Sequence, residues 1–160
     1  MDIFEFAMQM EKDGELYYRE VADSVGDKGI KTIMIMLADE EVRHYQVLGE
    51  MKTRSPKLEG TGILAKTRNI FAELRESGEK PDPNLGQVEM YRKAQQLEKK
   101  SQDFYEEKSK EVKLPEQKKL LNQIAEEERR HFFILENIID FVSRPDSWLE
   151  NAEFHKLEHF

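Results

Sequence analysis

Glutamates stand in this chain where helical periodicity asks for apolar side chains, and they do so twice. Sliding the sequence by 87 residues without a gap lays Glu11-Lys12 on Glu98-Lys99 and Tyr18 on Tyr105. The same shift lays Ala38 on Ala125, Glu40-Glu41 on Glu127-Glu128, Arg43-His44 on Arg130-His131 and Leu48 on Leu135. Roughly a third of the positions in the two stretches coincide, far above chance, so the chain reads as one unit used twice.

Each unit holds two amphipathic segments. Ile3, Ala7, Met10, Gly14, Tyr17 and Val21 form one stripe, and Ile30, Ile33, Met34, Leu37, Tyr45 and Leu48 the next. Tyr91, Ala94, Leu97, Phe104 and Val112 form the third, and Leu120, Leu121, Ile124, Phe132, Leu135, Ile138 and Val142 the fourth. This is the i, i+3/i+4, i+7 spacing of helices packing on a core. Period-2 alternation is sustained nowhere, so the expected fold is all-α, a four-helix bundle.

The breakers set the connections. Gly26-Asp27-Lys28-Gly29 and Lys113-Leu114-Pro115 are short, which predicts antiparallel hairpins over residues 2–53 and 85–143, with Pro115 in a first helical turn. Residues 54–84, with Gly60, Gly62 and Pro81-Asp82-Pro83, form a long crossover between the second and third helices of the bundle. Ile63, Leu64, Ile70, Phe71 and Leu74 predict one short helix inside it. In the tail, 144–160, Asp146-Ser147 caps an expected short C-terminal helix from Trp148 to Leu157. All 160 residues fit a single domain.

Glu11, Glu41, His44, Glu98, Glu128 and His131 all fall inside the apolar stripes. Glu41 and His44 are spaced i, i+3 and share a helix face, as do Glu128 and His131. A buried carboxylate costs several kcal/mol unless a cation meets it. The midpoint of Glu11 and Glu41 is Gly26, and that of Glu98 and Glu128 is Lys113, each in a turn. Folding each hairpin therefore brings its glutamates to one height, and a pseudo-two-fold axis brings all six side chains together. Four carboxylates supply the charge that two divalent ions cancel. One Glu from each of two helices and Glu-x-x-His from the other two is the pattern of a carboxylate di-metal site. A purely structural bundle with buried ion pairs is the bland alternative. His155 and His159 have no partners in the pattern and read as surface or packing residues; Met8, Met10, Met34, Met36 and Met51 read as core fillers.

Composition narrows the chemistry. There is no cysteine, which excludes iron–sulfur clusters, thiolate zinc and thiol catalysis. A formal net charge of −8 with no basic stripe argues against nucleic acid and anionic lipid. Neither a signal peptide nor an apolar run long enough to span a membrane is visible, so a cytoplasmic location is expected.

The residues Met10-Glu11-Lys12-Asp13-Gly14, Glu41-Val42-Arg43-His44, Glu98 and Glu128-Arg129-Arg130-His131 resemble the rubrerythrin-like branch of the ferritin-like superfamily. The resemblance covers both hairpins and the crossover, and the tail from Trp148 to Phe154 is similar to endings in that group. It implies a ferritin-like bundle with two irons per chain, manganese or mixed occupancy being the alternative. It further implies that Glu41 and Glu128 bridge the metals, that Glu11 and Glu98 are terminal ligands, and that His44 and His131 each cap one metal. Tyr18 and Tyr105 match tyrosines that hydrogen-bond to ligand carboxylates. Two features depart from rubrerythrin proper: Ser101 stands where an extra ligand glutamate is found, and the rubredoxin domain is absent.

The function expected is that of a non-haem di-iron oxidoreductase in oxidative-stress defence, reducing peroxide or dioxygen with electrons from an external, rubredoxin-like donor. A homodimer is expected. The rival readings are a ferroxidase or iron-handling protein and a metal-stabilised interaction module without turnover. Glu40 and Glu127 are expected either to orient His131 and His44 across the bundle or to be solvated helix-face charges.

Overall fold

In the computed structural model, which describes residues 2–51, 53, 58–78 and 85–144, the chain is all-α. Among the described residues there are five helices and no strands: α1 (Ile3–Ser24), α2 (Lys28–Glu50), α3 (Ile63–Ser77), α4 (Leu85–Glu111) and α5 (Pro115–Ser143). The helix starts follow from side-chain chemistry. Asp2 accepts the amide of Glu5 at 2.8 Å, and Asp27 accepts that of Ile30 at 2.9 Å, satisfying first-turn donors. Pro115 opens α5, where its missing N–H costs nothing.

The four long helices pair as two hairpins, α1 with α2 and α4 with α5, and α3 of the crossover packs on α2 and α5. The core divides into two apolar clusters. One holds Tyr18, Ile33, Leu37, Ala38, Tyr91, Ala94, Ile134 and Leu135; the other holds Ala7, Leu48, Tyr105, Leu121, Ile124 and Ala125. On every long helix the residues between these clusters are the polar ones: Glu11 on α1, Glu41 and His44 on α2, Glu98 on α4, Glu128 and His131 on α5. The apolar ends thus clamp a polar layer at mid-height.

Three residues, Tyr45, Leu97 and Gly29, depart from expectation. Tyr45 and Leu97 were assigned to the apolar stripes but are exposed, 40% and 39% respectively. Both stand at the edge of their stripe, where the helix turns toward solvent. Gly29 belongs to α2, since the Asp27 cap starts the helix at Lys28. A Cβ at Gly29 would lie 3.1 Å from Ile70 Cγ2, so the bare glycine is what lets α3 approach α2. The expected helix from Trp148 to Leu157, with His155 and His159, lies outside the described residues, as does Pro81-Asp82-Pro83.

Candidate metal centre

The six side chains meet in the bundle's middle, all buried. Glu11, Glu41, His44 and Glu128 each offer one ligand atom, and these atoms lie within 4.8 Å of one another. Glu41, Glu98, Glu128 and His131 form a second such group. The two groups share Glu41 and Glu128 and differ in one Glu and one His each. Glu128 Oε1 sits between the imidazoles, 3.1 Å from His44 Nδ1 and 3.7 Å from His131 Nδ1. His44 Nδ1 lies 3.5 Å from Glu11 Oε2; His131 Nδ1 lies 3.4 Å from Glu98 Oε1 and 3.5 Å from Glu41 Oε1. The rings are nearly parallel, with centroids 6.0 Å apart.

The tyrosines cross between the hairpins. Tyr18 of α1 donates its hydroxyl to Glu98 Oε1 of α4, and Tyr105 of α4 donates to Glu11 Oε1 of α1 at 2.6 Å. Each holds one carboxylate oxygen of the other hairpin's glutamate.

The residues flanking the histidines are less symmetric than the sequence. Glu127 Oε1 lies 2.9 Å from His44 Nε2, a hydrogen bond. Glu40 Oε1 is 3.8 Å from His131 Nε2, too long for one, and instead accepts from Thr61 Oγ1 at 2.9 Å. Neither glutamate is a solvated helix-face charge. Arg43, given no role from sequence, donates to Glu40, reaches Glu127 at 3.4 Å and donates to the carbonyl of Glu59 in the crossover. The signal for Arg43 was present as the repeated Arg43/Arg130 pair; Thr61 left none, because it lies outside the repeat.

The Rubrerythrin family model matches residues 2–139. The chain belongs to the rubrerythrin family. No curated protein and no solved structure matches it significantly. Rubrerythrins are di-iron proteins, and the donor set here fits such a centre. Glu11 Oε2, Glu41 Oε1, His44 Nδ1, Glu98 Oε2, Glu128 Oε1 and His131 Nδ1 are buried and make no hydrogen bond, one atom from each of the six residues. Buried polar atoms of a native protein are otherwise almost always satisfied. Carboxylate oxygen and imidazole nitrogen are ligands that iron and manganese accept.

The electrostatics of the cluster point the same way. Burial, reinforced by the charges of Glu11, Glu128 and Glu98, pushes the Glu41 carboxyl well above its usual range; burial with Glu98 and Glu11 does the same to Glu128. Burial works against charge on the histidines, yet Glu11 lifts His44 well above its ordinary value and Glu98 lifts His131 to about 10. Without cations the cluster must therefore take up protons. Two divalent ions would neutralise the four carboxylates and displace those protons.

Proposed function

We propose that this member of the rubrerythrin family is a di-iron oxidoreductase that reduces peroxide or dioxygen with electrons from a separate donor. The observation that carries the reading is the doubled ligand set, in which two buried Glu-and-His pairs share the same two further glutamates. Glu11, Glu41, His44 and Glu128 would hold one ion, and Glu41, Glu98, Glu128 and His131 the other. When bound, two ferrous ions supply two electrons, one each, which is the number a peroxide O–O bond consumes on cleavage.

The surrounding residues prepare the ligands. Tyr105 and Tyr18 each hold one carboxylate oxygen of Glu11 and Glu98, which fixes the orientation of both carboxylates and leaves one oxygen of each without a hydrogen bond. Glu127 accepts from His44 Nε2, which leaves the Nδ1 lone pair for a metal and makes the imidazole a better ligand. Iron is favoured by family membership, manganese being the alternative with the same donors.

With no cysteine in the chain, the electrons come from outside, and a rubredoxin-like protein is the proposed donor. A cytoplasmic homodimer remains the proposal made from the sequence. No helix among the described residues is long and apolar enough to cross a membrane.

Anaerobic reconstitution with Fe(II), followed by stopped-flow absorbance with hydrogen peroxide or air, tests the reading. The expected result is two irons per chain, faster oxidation by peroxide than by air, and one turnover unless a donor is supplied. Faster oxidation by air with release of Fe(III) would favour the ferroxidase reading. Inertness to both oxidants would leave a metal-stabilised interaction module.

A further inference from the structure

Between α1 and α4, the long helices of different hairpins, lies a chamber of about 380 Å³ whose inner end is Glu41, Glu98 and Glu128. Its walls are Phe6 and Phe104, with ring centroids 5.2 Å apart, together with Met10, Leu97 and the rings of Tyr17 and Tyr18. Both tyrosine hydroxyls are committed elsewhere: Tyr17 donates to the Met90 carbonyl at 2.8 Å and Tyr18 to Glu98. The tyrosines therefore offer the chamber ring surface. Asp13 and Lys100 also line it, both exposed and opposite in sign, so no single charge is favoured there.

The space exists because two lining residues are small. Gly14 and Ser101 stand one helical turn beyond Glu11 and Glu98. A Cβ at Gly14 would already come within 3.3 Å of Glu41 Oε2. A longer side chain at either position would fill the space next to the carboxylates.

The volume bears on what this chamber can hold. At about 30 Å³ per water, hydrogen peroxide needs the space of about two waters, while the chamber has room for about a dozen. It falls instead in the range of small-molecule sites, about 300–1,000 Å³, which are apolar with a few convergent polar groups. We propose that the chamber binds an organic hydroperoxide with a neutral apolar tail, its –OOH end at Glu41, Glu98 and Glu128 and its tail against Phe6, Leu97 and Phe104. This rests on the di-iron oxidoreductase reading and specifies its substrate class. In the balanced step the O–O bond of R–O–O–H breaks, two electrons and two protons are consumed, and R–OH and water leave. Two ferrous ions held by the six ligand residues would supply the two electrons, and the external donor would restore them.

The test pairs binding with kinetics on the anaerobic di-Fe(II) protein. Calorimetric titration with 2-phenyl-2-propanol, the alcohol product of cumene hydroperoxide, reads the chamber without turnover. Stopped-flow oxidation then compares cumene hydroperoxide with hydrogen peroxide. Leu97→Glu places a charge on the apolar wall at a site already exposed, so folding is preserved, and Ser101→Phe fills the inner end. Both variants, checked for two irons per chain, are expected to weaken alcohol binding at least about tenfold and to lower the ratio of organic to hydrogen peroxide rate constants about tenfold, roughly 1.4 kcal/mol. Absence of alcohol binding in the parent protein, or binding and rate ratio unmoved in both variants, would overturn the inference and leave the peroxide reading standing. Alcohol binding without oxidation by either peroxide would overturn the redox reading, and the hydroperoxide assignment with it.

Discussion

His44 and His131 occupy equivalent places in a duplicated sequence, yet their outer nitrogens have different surroundings. Nε2 of His44 meets Glu127 at 2.9 Å, whereas Nε2 of His131 makes no hydrogen bond. Glu127→Gln is therefore expected to weaken metal binding about tenfold, with a smaller effect from Glu40→Gln, because only the first removes a charged acceptor from an imidazole proposed as a ligand. Competitive titration with Co(II) would measure both, and equal losses would contradict this asymmetry. Tyr105 bears on Glu11 just as directly. Tyr105→Phe leaves a buried carboxylate oxygen without its donor, and the expected cost to the metal-free protein is about 1–3 kcal/mol, read from denaturant unfolding. Of these residue-scale details, the repeat exposed the identities but not the pairings. Tyr18 bonds Glu98 and Tyr105 bonds Glu11, across hairpins, and such partners depend on how two helices face each other.

At the scale of the helices, glycines separate packing from function. Gly49, inside α2, would place a Cβ 3.2 Å from Met8 Cε, the far end of a flexible side chain that can move aside. Gly49→Ala is expected to raise stability by about 0.5 kcal/mol through backbone entropy, with metal content unchanged. Gly14→Ala gains the same helix propensity, but its new methyl presses on the Glu41 carboxylate. Its expected signature is weaker metal binding with little change in the stability of the metal-free protein. Thermal melts and iron content of the two variants check both statements. The helices themselves were legible in the stripes and the Asp27 and Pro115 signals. Tyr45 and Leu97 were misread because periodicity gives a face and not its depth; at its edges, burial depends on how closely the neighbouring helix stands.

For the whole molecule, the polar layer between two apolar clusters makes stability depend on metal and pH together. In the metal-free protein His131 has its proton affinity raised from 6.5 to about 10, and His44, Glu41 and Glu128 are raised too. The folded state then binds more protons than the unfolded one, so stability falls as pH rises. For His131 the contribution is complete below pH 6.5 and is lost as pH climbs through about 10. Glu40 works oppositely, since His131, Arg43 and Thr61 outweigh burial and hold it at about 2; its contribution is lost only as pH falls from 4.5 toward that value. Metal binding runs the other way from the histidines, because its ligands must give up protons. The melting temperature of metal-free protein is thus expected to fall between pH 6.5 and 9, while the gap between metal-loaded and metal-free protein widens. Calorimetry at several pH values checks this, and a gap independent of pH would contradict it.

The sequence by itself determined the five described helices, their pairing into hairpins, the family and the six residues of the polar layer. It could do so because a carboxylate on an apolar stripe is costly enough to be visible, and a duplication shows it twice. Tertiary structure alone decided what breaks the two-fold likeness. Arg43 and Arg130 are the same residue in the same context, but Arg43 reaches Glu40, Glu127 and the carbonyl of Glu59, while Arg130 has its Nε 4.0 Å from Glu126. The crossover that supplies Glu59 and Thr61 has no counterpart in the repeat, so its position over one half of the bundle is invisible to the pattern. The chamber between α1 and α4 is likewise a property of spacing. Sequence shows that Gly14 and Ser101 are small; only the packed helices decide whether a small side chain leaves room or lets a neighbour close in.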